Sequence, residues 1–222
     1  MLTVHHLNDS RSQRILWLLE ELDVEYEIER YERNPETMLA PRELRDVHPL
    51  GKSPVITHEG RTIAESGAII EYIVDEFDDG SLRPDPDTDA YRRYRYWMHY
   101  AEGSAMPQFL LKLVFGRLPD EVPFLVRPVA KLISKGVTSQ YIDPQIARHM
   151  DFWEAELGER DYFAGDAFTA ADIQMSFPLE AAMVRSPDMA EYPRITGLVE
   201  RLRDRPAYER AIERGGSFSL DM

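Results

Sequence analysis

The chain of 222 residues contains no cysteine. This excludes structural disulfides, thiolate metal sites and any nucleophile in which the protein supplies the sulfur. It has no apolar run approaching the roughly 20 residues that span a membrane. The start, Met1-Leu2-Thr3-Val4-His5-His6, lacks the basic residues and long apolar segment of a secretory signal. Positive charge is scarce, with 26 Lys and Arg against 40 Asp and Glu, for a formal net charge of −14. Such a balance argues against nucleic acid and anionic membrane surfaces as partners. His5, His6 and His48 have no metal-ligand spacing and read as structural, so no metal is expected. What remains, with 43% hydrophobic and 30% charged residues, is an ordinary globular composition expected in the cytoplasm.

The most informative stretch runs from His48 to Gly67. Val55-Ile56-Thr57 and Arg61-Thr62-Ile63 form two short strands about a turn at Gly60. Pro54 precedes the first strand, and a cis Ser53–Pro54 bond would turn the chain and expose the backbone of Val55 as a sheet edge does. Glu65 and Ser66 then stand at the start of a helix, where free N–H groups and a hydroxyl suit a carboxylate and Glu65 suits an ammonium group. A backbone edge, a carboxylate pocket and an ammonium partner together describe a site for a small zwitterionic peptide.

Lys52-Ser53-Pro54 followed by a hairpin and Glu65-Ser66-Gly67 resembles the glutathione site of the glutathione S-transferases. His48-Pro49-Leu50-Gly51, Tyr100-Ala101-Glu102-Gly103-Ser104 and Met175-Ser176-Phe177-Pro178-Leu179 extend the resemblance over nearly the whole chain, towards the fungal and bacterial branch. It implies glutathione as co-substrate, a small hydrophobic electrophile as second substrate, and a homodimer. Lys52 would pair with the glycine carboxylate, and Glu65 and Ser66 would take the γ-glutamyl end. Relatives that work through their own cysteine are not a guide here.

Read in order, Leu2–Leu7 is a strand, Asn8–Ser12 a polar turn, Ile15–Leu22 an amphipathic helix, and Tyr26–Tyr31 a second strand. With a short helix at 41–47, the hairpin and a helix at 66–77, the order βαβ–ββα fits a thioredoxin-like α/β sheet over residues 1–78. Residues 79–89, rich in Asp and Pro, read as a linker. Residues 90–222 read as an all-α domain, beginning with a helix to Phe115 that Pro107 should bend. Phe168-Thr169-Ala170-Ala171-Asp172-Ile173 has the pattern of a capping box with a staple. The proline-rich, locally basic segment 117–136 reads as a connection folded over the cleft. Membrane attachment through it is not expected, because prolines spoil a continuous amphipathic face.

A thiol of pKa about 8.5 is mostly protonated at neutral pH, and lowering it two units takes about 2.7 kcal/mol. Family members place tyrosine, serine or cysteine at the first turn. The nearest tyrosine here is Tyr26, so Ser10 is the serine-type candidate, with Arg11 as an assisting charge and Ser12 and Asn8 as rivals. Tyr94, Tyr96, Trp97, Tyr100 and Met106 would line the electrophile site, although such a stripe equally suits a core. Glutathione conjugation, with hydroperoxide reduction by the same thiolate, is the expected activity. A non-catalytic binding or scaffold protein, or a glutathione-dependent isomerase or dehalogenase, is the alternative.

Overall fold

The computed structural model describes residues 1–186 and 189–216. β1 (Leu2–Leu7) pairs in parallel with β2 (Tyr26–Tyr31), joined by α1 (Ser12–Glu21). After the short α2 (Leu44–Val47), β3 (Val55–His58) and β4 (Arg61–Ala64) form an antiparallel hairpin, and α3 (Ser66–Phe77) follows. β3 runs antiparallel to β1, giving one four-stranded sheet in the order β2-β1-β3-β4. This is the expected thioredoxin-like α/β unit. α1 is buried along nearly its whole length, because it packs on the sheet, on α3 and on the helical half together.

The helical half consists of α4 (Asp89–Tyr100), α5 (Met106–Arg117), α6 (Arg127–Val137), α7 (Asp143–Glu156), α8 (Ala170–Arg185), α9 (Pro193–Arg203) and α10 (Pro206–Gly215). α8 is the axis of this half: Ile173, Met175 and Leu179 have no exposed surface. Ala170 N–H donates to Leu82 C=O at 2.9 Å, tying its first turn to the segment leaving α3. α10, the last described helix, returns to pack on α1. No described helix is long and apolar enough to cross a membrane.

The helical run is continuous from α4 through a π-helical stretch at Ala101–Ala105 into α5, and the ladder changes register there to meet the missing N–H of Pro107. One expectation needs correction. Segment 117–136 is not only a connection, since Pro128 opens the well-formed α6. A second π-helical stretch, Thr138–Ile142, precedes α7, whose first turn carries Pro144.

The capping box forms as expected. Asp172 Oδ2 accepts from Thr169 N–H at 2.8 Å and from Thr169 Oγ1–H at 3.0 Å, while Oδ1 accepts from Phe163 N–H at 2.9 Å. Phe168 packs beside Trp17, with ring centroids 5.8 Å apart. Burial of Asp172 pushes its carboxyl up to about 6 from an ordinary 3.8, although these hydrogen bonds pull the other way. The folded state therefore keeps the proton longer than the unfolded chain. Its contribution to stability declines as pH rises from about 4 to about 6 and is level above that. Asp172→Ala strands three donors and should cost about 2 kcal/mol at neutral pH in urea unfolding. The variant should also lose the decline between pH 4 and 6.

Candidate functional site

The sheet delivers its functional residues at the C-terminal end of β1 and at the two ends of the β3–β4 hairpin. The Ser53–Pro54 bond is cis. Ser53 is fastened to β1: its Oγ–H donates to His5 C=O at 2.9 Å and accepts from Leu7 N–H at 3.3 Å. Beside it opens a polar cleft lined by Arg11, His48, Leu50, Lys52, Ser53, Pro54, Ala64, Glu65 and Ser66. Three separated pieces of sequence thus converge: the β1–α1 turn, the approach to β3, and the β4–α3 junction.

Glu65 has φ of 73°, a conformation that costs a non-glycine residue energy and persists where the surroundings impose it. Its side chain is exposed to the cleft side, while Ser66, which opens α3, is buried. The unpaired N–H groups of that first turn and the Ser66 hydroxyl form an anion-binding corner, with the Glu65 carboxylate next to it for a cation. Lys52 stands exposed across the cleft. The cleft thus brings two cations, a helix start and a carboxylate together.

Val55 departs from expectation. It pairs with His5 on one side and Ala64 on the other, and its strand is an inner one, so it presents no sheet edge. Ser53 and Pro54 line the cleft instead.

The turn residues separate clearly. Ser10 is 5% exposed and lies outside the cleft lining. Its Oγ sits 2.8 Å from both Leu7 C=O and Ser12 Oγ. His6 Nε2 faces the Gly215 carbonyl at 3.0 Å and must donate to it, so in the neutral ring Nδ1 accepts from Ser12 Oγ–H at 2.8 Å. Burial holds His6 below its ordinary pKa, which favours that neutral ring. The Ser12 proton is thereby committed to His6, and the Ser10 proton to Leu7 C=O or Ser12 Oγ. Both hydroxyls face inward, stitching the turn to α10. Asn8 accepts from Arg33 N–H at 2.8 Å and donates to Asp9 at 3.1 Å. Of the four turn residues considered, Arg11 is the one that lines the cleft.

Arg11 is positioned from the helical half. Its Nε lies 3.4 Å from Glu102 Oε2, and its guanidinium sits 5.6 Å from the Phe177 ring centre. Glu102 also receives Arg14 Nη2–H at 2.6 Å, while Arg14 Nη1–H donates to Gln174 C=O at 2.5 Å. The Arg14 side chain is 2% exposed, so Glu102 neutralises a charge that water does not reach. Glu102 belongs to the π-helical stretch, whose changed register turns it towards α1. Arg14 and Glu102 were missed as an element of the site. The available signal was an arginine directly before the apolar run Ile15–Leu19, a cation that such a helix must bury and neutralise.

Tyr94, Trp97 and Met106, expected to line the electrophile site, are 2%, 1% and 5% exposed and belong to the helical core. Trp97 packs against Phe163 with ring centroids 4.4 Å apart. The Tyr100 hydroxyl accepts from Trp153 Nε1–H at 3.1 Å and bonds His149 Nδ1. Tyr100 and the exposed Tyr96 edge a groove on the outer side of α4, beside Arg95 and His99, whose lining shares no residue with the polar cleft.

A thioredoxin-like unit with a cis-proline cleft, joined to a bundle of helices, is the architecture of glutathione-binding transferases. The glutathione S-transferase N-terminal domain family matches residues 1–75, and its C-terminal domain family matches residues 135–206. Glutathione S-transferase 3 of Schizosaccharomyces pombe is 36% identical over 96% of this chain and 88% of its own length. Glutathione S-transferase 1 of Saccharomyces cerevisiae is 32% identical, with 98% of each chain covered. Among solved structures, a glutathione S-transferase from Actinobacillus pleuropneumoniae superposes with a TM-score of 0.81 at 32% identity, covering 98% of this chain and 94% of its own. A sphingomonad glutathione S-transferase complexed with glutathione shares the fold, with a TM-score of 0.74 at 22% identity and 96% and 98% coverage. The chain belongs to the glutathione S-transferase family.

Removing Glu102 tests the clamp between the two halves. Glu102→Ala leaves the Arg14 charge buried with only a carbonyl acceptor and should cost about 3 kcal/mol in denaturant unfolding. Glu102→Gln, which keeps an acceptor oxygen, should cost visibly less.

Proposed function

We propose that the chain is a glutathione transferase that activates the thiol of bound glutathione with the Arg11 charge and directs it at small electrophiles. The observation that supports this reading is the convergence of Lys52, Ser53, Glu65, Ser66 and Arg11 on one polar cleft. Glutathione carries the complementary groups. In this reading Lys52 takes the glycine carboxylate, the start of α3 with Ser66 takes the γ-glutamyl carboxylate, and Glu65 takes the ammonium.

The cysteinyl sulfur then lies towards the β1–α1 turn. A positive charge near a thiol favours the thiolate, and a partly desolvated cleft strengthens the effect. The turn's own N–H groups, at the positive end of α1, act in the same direction. The proton leaves to solvent. The thiolate attacks an electrophilic carbon, the C–S bond forms, and the leaving group departs with its electron pair. An organic hydroperoxide would be reduced by the same sulfur: the O–O bond breaks, the alcohol leaves, and a second glutathione converts the sulfenic acid to disulfide and water. That second thiol has to be glutathione, because the chain has no cysteine.

The reading carries with it a two-fold dimer, as is typical of the fold, and a cytosolic setting. Ser10 has a different role in it, holding the turn through Leu7 and Ser12 and giving no hydrogen bond to sulfur.

Ultraviolet titration of the bound thiolate tests these assignments. Bound glutathione should ionise about two units below the free value of roughly 8.5. Arg11→Ala should return about one unit of that shift, whereas Ser10→Ala should lower stability and move the titration little. A titration that moves with Ser10 and not Arg11 would transfer the role to the hydroxyl. Glu65→Gln should raise the KM for glutathione by about tenfold, the order expected for losing one charged hydrogen bond.

A further inference from the structure

One side chain of the polar cleft, His48, takes no part in the contacts assigned to glutathione. By spacing alone it reads as structural. In the fold it is half-buried and lines the cleft together with Arg11, Lys52 and Ser53.

The backbone around His48 is fixed. Its N–H donates to Leu44 C=O at 3.0 Å, ending α2, and its C=O accepts from Gly51 N–H at 2.8 Å, closing a turn over residues 48–51. Gly51 has φ of 55°, and a Cβ there would stand 2.6 Å from Arg45 Cγ, so the turn requires glycine. The chain thus leaves α2, turns, and meets the cleft again at the exposed Lys52.

The ring is oriented as well. Leu50 N–H donates to His48 Nδ1 at 3.4 Å, so the proton of the neutral ring is on Nε2. Among the described residues nothing accepts from that Nε2–H, and no carboxylate pairs with Lys52. Glu65 is the one acidic residue of the cleft lining, and it bonds to neither. In a chain of net charge −14, a lining with two cations, one carboxylate and an open imidazole donor is locally suited to an anion.

We propose that His48 is a specificity-determining residue of this cleft: its Nε2–H donates to one oxygen of the glycine carboxylate of glutathione while Lys52 faces the other. The inference rests on the transferase reading for the identity of the ligand. Lys52, a point charge on a flexible and exposed stem, supplies attraction with little direction. The ring, held by Leu50, supplies the direction. A free carboxylate gives it a charged acceptor, whereas an esterified glycine end leaves it a weaker, neutral one and removes the charge that Lys52 meets.

The test is calorimetric titration of glutathione and of its glycyl monoethyl ester into wild type and two variants that separate the ring nitrogens. Asparagine places its amide oxygen near the position of Nδ1, and glutamine its amide nitrogen near that of Nε2. His48→Asn therefore keeps the acceptor for Leu50 N–H and loses the cleft donor, while His48→Gln keeps the cleft donor and loses the turn bond. Wild type should prefer glutathione over the ester by about a hundredfold, the order expected for two charge-assisted contacts. His48→Asn should reduce that preference to about tenfold, through weaker binding of glutathione alone, and His48→Gln should restore most of it.

A His48 that serves only the turn gives the opposite order: asparagine harmless, and glutamine weakening both ligands alike. That order, or an unchanged preference in His48→Asn, overturns the inference while glutathione remains bound and the transferase reading stands. A wild-type protein that binds neither ligand overturns the transferase reading, and the inference with it.

Discussion

The Arg14 guanidinium, withdrawn from water between two structural layers, is the constraint on which the arrangement of this protein depends. It sits on the helix that follows the first strand, and its acceptors, Glu102 and Gln174 C=O, belong to two helices of the other half. A buried cation tolerates little displacement of its partners, since each lost contact exposes an uncompensated charge to a low-dielectric surrounding. Glu102 spans from this buried pair to Arg11 at the cleft. The interaction that joins the two halves therefore also sets the position of the Arg11 charge at the polar cleft.

The network of hydroxyls behind the cleft has a complementary part. Ser10, Ser12 and His6 form a chain of hydrogen bonds from the Leu7 carbonyl to the Gly215 carbonyl. It satisfies buried polar groups at a turn that would otherwise leave them unpaired. Arg30 and Arg214 reinforce the same closure from the strand side: Arg30 Nη1–H also donates to Gly215 C=O, at 3.0 Å, and Arg214 stacks over Tyr26. The turn is shaped from behind by the last turn of α10 and from the front by α4–α5 and α8.

Much of this was legible from residues alone. Alternation at Leu2–Leu7 and Tyr26–Tyr31, the Gly60 turn and the helix after Glu65 place the sheet, because local periodicity and turn chemistry there agree with the tertiary fold. The capping box around Asp172 was readable for the same reason. The cleft residues Lys52, Ser53, Pro54, Glu65 and Ser66 followed from a motif that is contiguous in sequence. The direction in which Ser10 faces was not legible, because it is set by His6 and Gly215, the latter more than 200 residues distant. Tyr94, Trp97 and Met106 were ambiguous, since helical spacing does not say which neighbour covers a face. The π-helical stretches escaped because their cause lies in the next element: Pro107 and Pro144 each remove a donor one turn on, and the ladder changes register to meet them.

The buried ion pair has a consequence for how the polypeptide can be divided. A break in the acidic stretch after α3 would separate Arg14 from both of its acceptors. The severed sheet unit would display a bare guanidinium on a helix, α1, that is buried along nearly its whole length in the intact chain. The severed bundle would keep Glu102 with nothing to neutralise it on that side except the solvent newly admitted. The two architectures are thus coupled through one buried guanidinium, and parting them leaves a charge uncompensated on each side.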